Sequence, residues 1–146
     1  MRGLASFLVA VALALAAPVA ASLPEPVKAL ASGWHTLGSG EARFLGLRLY
    51  EAALWVGAQG YREDAPFALA LTYTRGFSRD TLVSTSLDEM RRLGGADDAR
   101  LGRWKAELER VFPDVAAGET LVGVHLPGRG AAFYHQGRLS GEVADP

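Results

Sequence analysis

Five side chains between residues 43 and 75 have the chemistry to hold an acid. Arg43, Arg48 and Tyr50 lie in "GSGEARFLGLRLYEAALWV" (38–56), and Tyr73 and Arg75 lie in "LALTYTR" (69–75). A guanidinium presents a planar fork of N–H donors that matches a carboxylate or phenolate, and a phenol adds one more donor. Both segments read as strand. Residues two apart on a strand share a face, so Arg48 goes with Tyr50 and Tyr73 with Arg75, and neighbouring strands would bring all four onto one anion. The same residues have a plainer reading, in which the arginines lie flat over aromatic rings on a wetted sheet face. While alternation is unbroken, Leu47, Leu49 and Glu51 point away from Arg48 and Tyr50. An isolated buried guanidinium costs several kcal/mol, so Arg48 is expected to face solvent.

Other chemistries fall away on spacing. Gly38-Ser39-Gly40 has no third glycine at dinucleotide spacing and is followed by strand rather than helix, so it reads as a tight turn. His35, His125 and His135 do not share an element at ligand spacing, which gives no metal site. Ser78, Ser84 and Ser86 have no triad around them, and the chain has no cysteine, so thiolate ligands, thiol nucleophiles and disulfides are excluded. No catalytic residue and no cofactor is assigned.

The elements that must position these residues follow from periodicity. "PEPVKALAS" (24–32) suits a short helix stopped by Gly33, and "WHTL" (34–37) a brief strand. The 38–56 stretch divides at Gly46, where a bend or bulge is expected. "FALALTYT" (67–74) alternates large and small: Phe67, Leu69, Leu71 and Tyr73 against Ala68, Ala70, Thr72 and Thr74. Two helices follow. Ser78 caps one whose stripe is Leu82, Val83, Leu87, Met90 and Leu93, with Gly94-Gly95 as the stop. Asp97 or Asp98 caps the other, with Leu101, Trp104, Leu108, Val111 and Phe112 recurring at spacings of three and four before Pro113. "TLVGVHL" (120–126), "AAFYHQ" (131–136) and "LSGEV" (139–143) then form a meander around "PGRG" and Gly137-Arg138. The order predicts α+β, an antiparallel sheet with helices packed on one face.

Arg2 and the apolar run 4–17, broken by Pro18 and followed by small residues at 19 and 21, have the layout of a signal peptide cleaved after Ala21. That predicts export to the periplasm and a domain over residues 22–146. No second apolar run reaches the ~20 residues of a membrane span. Loss of Arg2 changes the 15 basic and 16 acidic residues to 14 and 16, a balance that excludes general attraction to nucleic acid.

Four pieces, "GLRLYEAALWV", "LTYTR-FS---L", "FPDV-AGE" and "G-G-AFY--G---GEV", within about residues 30–146, resemble the bacterial chalcone-isomerase-like family of exported proteins. The resemblance implies an open-faced β-sandwich with a cleft between sheet and helices, which holds a flavonoid in the plant enzymes and fatty acids in non-catalytic relatives. It also implies an arginine at G-x-G-x-R, where this chain has Ala42, with Arg43 one residue later. A tyrosine and an asparagine are implied on the helix matching 78–93; that segment has no tyrosine, and the chain has no asparagine. Family members continue past the closing "GEVADP" into a further helical segment, so the domain is expected either to be shortened at its C-terminus or to close its fold differently. The expected function is binding of an apolar acid, such as a fatty acid, by Arg43, Arg48, Tyr50, Tyr73 and Arg75, without catalysis. The alternatives are an isomerase cyclising a chalcone-like substrate and an envelope scaffold using Trp34 and Trp55.

Overall fold

A one-turn helix, α1 (Glu25–Lys28), leads into β1 (His35–Phe44), β2 (Leu47–Val56) and β3 (Phe67–Tyr73). The chain then leaves the sheet for α2 (Arg79–Leu93) and α3 (Asp98–Val111) and returns through β4 (Thr120–Leu126), β5 (Gly130–His135) and β6 (Arg138–Ala144). The six strands make one antiparallel sheet whose spatial order is their chain order. This computed structural model describes residues 23–95 and 97–145. The expected signal peptide, residues 1–21, lies outside the described residues. The class is α+β, with α2 and α3 on one sheet face, as the pattern predicts.

Both long helices start where their caps stand. The Ser78 hydroxyl accepts from the Thr81 N–H at 3.2 Å, and the Asp97 carboxylate accepts from the Arg100 N–H at 2.8 Å, each stabilising by about 1 kcal/mol. Their apolar stripes meet the inner face of the sheet. Leu82, Val83, Leu87 and Met90 of α2, and Leu101, Trp104, Leu108 and Val111 of α3, are buried with Tyr73, Leu121, Phe133 and Val143. The end of α3 sits directly on β6, where Gly141 makes room: a Cβ there would stand 2.5 Å from Val111 Cγ1. Phe112 meets Phe133 edge-on at 5.0 Å beside this contact. The small side of β3 serves the opposite, outer face, where Ala68 and Ala70 let Leu23 and Val27 pack down with Val122, Val124 and Tyr134. Trp34 and Trp55 close that layer.

The first hairpin differs from the expected pattern in three places. Gly38-Ser39-Gly40 is not a turn; it runs inside β1, opposite Leu54, Ala53 and Ala52. The cross-strand ladder outweighs glycine's weak strand preference here, and the slack is taken up at Leu37, where the register skips from Thr36–Trp55 to Gly38–Leu54. Gly46 does not bend a single strand but helps reverse the chain. Leu45 (φ +51°) and Gly46 (φ +80°) have the positive φ values of a type I′ hairpin turn, the conformation that matches strand twist. Leucine in that region costs roughly 1–2 kcal/mol, which explains why the sequence carries no Asn-Gly signal of a hairpin.

The third difference moves Arg48. Pairing passes from Ala42–Tyr50 directly to Arg43–Arg48, so Leu49 is an extra residue bulged out of β2. The bulge inverts alternation. Arg48 therefore shares the outer face with Glu51 rather than the inner face with Tyr50, contrary to the unbroken pattern.

Candidate functional site

The inner face of the sheet is built from alternate residues of each strand, and register gives its rows. Tyr50 stands beside Tyr73, Ala52 beside Leu71, Leu54 beside Leu69, and Val56 beside Phe67. The next strand adds Leu121, Gly123 and His125 to the last three rows. Tyr50 and Leu71 touch two groups: the core under α2 and α3, and the Ala52–Val56–Phe67–Leu69 group farther along β2 and β3. One apolar surface thus continues from beneath the helices to Phe67. From Tyr50 to Val56 it spans roughly 20 Å at strand rise, a length suited to a long acyl chain. On the edge strand the same face carries only Gly38, Gly40 and Ala42, opposite Leu54, Ala52 and Tyr50. A Cβ added at Gly38 would meet nothing within 4 Å, so there is room at this end of the margin, whereas Gly40 is buried.

Polar groups on this surface are few. The Tyr50 and Tyr73 rings meet edge to face at 5.7 Å, and Phe77 adds a second edge contact to Tyr73 at 5.6 Å. Burial pushes both phenols above their ordinary range; Glu89 on α2 adds to the shift at Tyr50, and Tyr50 adds to it at Tyr73. Both rings are therefore neutral hydrogen-bond donors at physiological pH. At the other end His125 is buried, its ring stacked on Phe67 at 4.7 Å and its Nε2 2.7 Å from the Glu63 carbonyl. A carbonyl only accepts, so Nε2 carries the proton and Nδ1 is left as the second polar atom of the ring. Reasoning from spacing between histidines passes over His125. The signal was its phase in "TLVGVHL", two residues beyond Gly123 and four beyond Leu121.

The predicted acid-binding set divides between faces. Tyr50 and Tyr73 come together on the inner face as expected. Arg43 and Arg48 stand across from one another on the outer face, among carboxylates. Arg43 Nε donates to Glu41 at 2.6 Å, while Arg48 lies 3.1 Å from Glu51 and 3.6 Å from Glu41. The Arg43 hydrogen bond, with the Arg48 charge behind it, holds the Glu41 carboxyl below its usual range. Ala42, the position the resemblance gives to an arginine, does face inward beside Tyr50, whereas Arg43 faces out. Arg75 is exposed two residues past the end of β3. His135 pairs with Glu119 at 2.8 Å, and no cluster of three or more metal-ligating side chains occurs among the described residues.

No protein-family model and no curated sequence matches the chain. A solved structure does: a fatty-acid binding protein of Arabidopsis thaliana, at 15% identity and a TM-score of 0.57, covering 80% of this chain and 76% of the other. The fold is chalcone isomerase-like. At that identity the likeness concerns the fold alone, and the inner-face residues carry the functional argument. Among the described residues, no helix is long and apolar enough to cross a membrane.

Proposed function

We propose that this protein binds an apolar acid, such as a fatty acid, along the inner face of the sheet beside α2 and α3, and that it does so without catalysis. The observation that carries the reading is the continuous apolar surface from Tyr50 and Tyr73 to Phe67, with two neutral phenols at one end. An acyl chain gains from removal of its methylenes from water along the half-buried Tyr50, Leu54 and Leu71, since Ala52, Val56, Phe67 and Leu69 are already buried. Its carboxylate accepts from the Tyr50 and Tyr73 hydroxyls, a charge-assisted bond stronger than one between neutral groups. Arg75 follows on the same segment and supplies the nearest cation in sequence. Arg43 and Arg48, paired with Glu41 and Glu51 on the outer face, take no part in holding the acid. The fatty-acid binding of the structurally similar plant protein agrees with this ligand class. Ala42, the lack of tyrosine on α2 and the lack of asparagine anywhere leave the polar set of the plant isomerases unfilled. The signal-peptide pattern of residues 1–21 supports a periplasmic carrier.

Native mass spectrometry of protein purified from cells, followed by titration of delipidated protein with palmitate, tests the reading. Co-purified acid and saturable binding are expected. Protein that binds no fatty acid, or that accelerates closure of a hydroxylated chalcone above the buffer rate, contradicts it.

A further inference from the structure

The turn between β1 and β2 presents a second feature, unrelated to the inner face. Phe44, Leu45 and Leu47 are 64%, 87% and 50% exposed, and they are consecutive apart from Gly46. Leu45 also occupies a left-handed conformation (φ +51°) that a leucine rarely adopts. The turn between β5 and β6 shows what the same geometry looks like when it serves only folding. There Gln136 (φ +52°) precedes Gly137 (φ +81°), and the Gln136 side chain accepts from the Thr120 N–H at 2.8 Å. Leu45 holds the equivalent position with its side chain almost wholly in water. Folding therefore gives no reason for a leucine at this apex.

The tip projects. β3 pairs with β2 only as far as Tyr50–Tyr73, with two further bonds from Thr74, its N–H to the Leu49 carbonyl and its hydroxyl to the Arg48 carbonyl. Beyond Arg48 the hairpin runs on through Leu47 and Gly46 to Leu45, three residues and at most about 10 Å at strand rise. That overhang matches the ~5–10 Å depth to which interfacial elements enter a bilayer. Behind the apolar apex stand Arg43 and Arg48, and each is paired with a carboxylate of Glu41 or Glu51. The four charges of these pairs sum to zero, two positive and two negative, so the pairs themselves give no attraction to anionic lipid.

From the exposed apex, its strained leucine and the neutral collar, we propose that the Phe44–Leu47 tip inserts into the surface of a lipid bilayer, with zwitterionic lipid sufficient. A two-residue convex apex suits a soft surface, since a protein partner would have to supply a matching socket. The proposal holds whether or not the inner face carries a ligand.

The chain has no cysteine, so a single dye can be placed at the tip by Leu45→Cys and, in a second sample, at the opposite end of the sheet by Arg129→Cys. With phosphatidylcholine vesicles carrying an acyl-chain quencher, the tip label is expected to be quenched and the Arg129→Cys label to remain bright. Phe44→Ser and Leu47→Ser, each shown folded by circular dichroism, should each weaken quenching of the tip label by about tenfold or more, as loss of a buried large side chain implies. No quenching at the tip, or equal quenching at both labels, overturns the proposal. So does insertion that requires anionic lipid, which would mean a basic patch is responsible. A tip label that changes with protein concentration in the absence of lipid would assign the tip to contact between copies, and that also overturns it.

Discussion

Replacing Gly141 with alanine perturbs a close contact between α3 and the sheet. The added Cβ would lie 2.5 Å from Val111 Cγ1 and 3.1 Å from Val111 Cβ, well inside van der Waals contact. Neither partner can retreat easily. Val111 is 1% exposed, the Ser140 hydroxyl donates to its carbonyl, and Arg110 donates to the Glu142 carbonyl at 2.6 Å on the next residue pair. Gly141 does not have a positive φ, so alanine is not opposed by the backbone and the effect is one of packing alone. Overpacking of this kind costs roughly 1–3 kcal/mol. Urea unfolding of Gly141→Ala should show that loss at unchanged m-value. Val111→Ala vacates the space the new methyl needs, so the double variant should be more stable than the sum of the single losses by ~1 kcal/mol or more. Additive losses, or a neutral Gly141→Ala, would refute this account of how α3 is seated and of the wall it forms beside the inner face.

Phe67→Ala should destabilise by ~3–5 kcal/mol, because it empties a fully buried site and removes the ring stacked on His125; chemical denaturation reads it. Arg43→Ala and Arg48→Ala should each change stability by less than ~1 kcal/mol, since their pairs are exposed and screened, and should leave fatty-acid affinity unchanged. Alkali should destabilise the fold beginning near pH 10. The unfolded chain loses its tyrosine protons there while Tyr73, raised by burial, retains its own, so stability falls with rising pH. Tyr73→Phe should flatten that slope in pH-dependent denaturation. Protein recovered from the periplasm of expressing cells should begin at Ser22, as intact mass will show.

Most of the scaffold was legible because its signals are local. The large/small alternation of residues 67–74 identifies β3, Ser78 and Asp97 mark the helix starts, and "PGRG" marks the β4–β5 turn. The first hairpin was not legible because its geometry depends on the partner strand. Nothing in "LRLYE" marks Leu49 as bulged, yet the bulge separates Arg48 from Tyr50 and joins it to Glu51. The glycines of "GSG" resemble a turn until β2 lies beside them. The candidate site shares this division. Tyr50 and Tyr73 could be paired from alternation; His125 shares the phase of Leu121 within its strand, but its place beside Phe67 depends on the register of β4 against β3. Leu45 conceals the hairpin because it stands where Asn or Gly would advertise one.

The central claim is tested most directly by a crystal structure of the delipidated protein soaked with palmitate. The account predicts the carboxylate within hydrogen-bond distance of the Tyr50 and Tyr73 hydroxyls, with the chain running over the half-buried Leu71 and Leu54. An acyl chain bound on the outer face, or a carboxylate held by Arg43 and Arg48 with the inner face unoccupied, would contradict it.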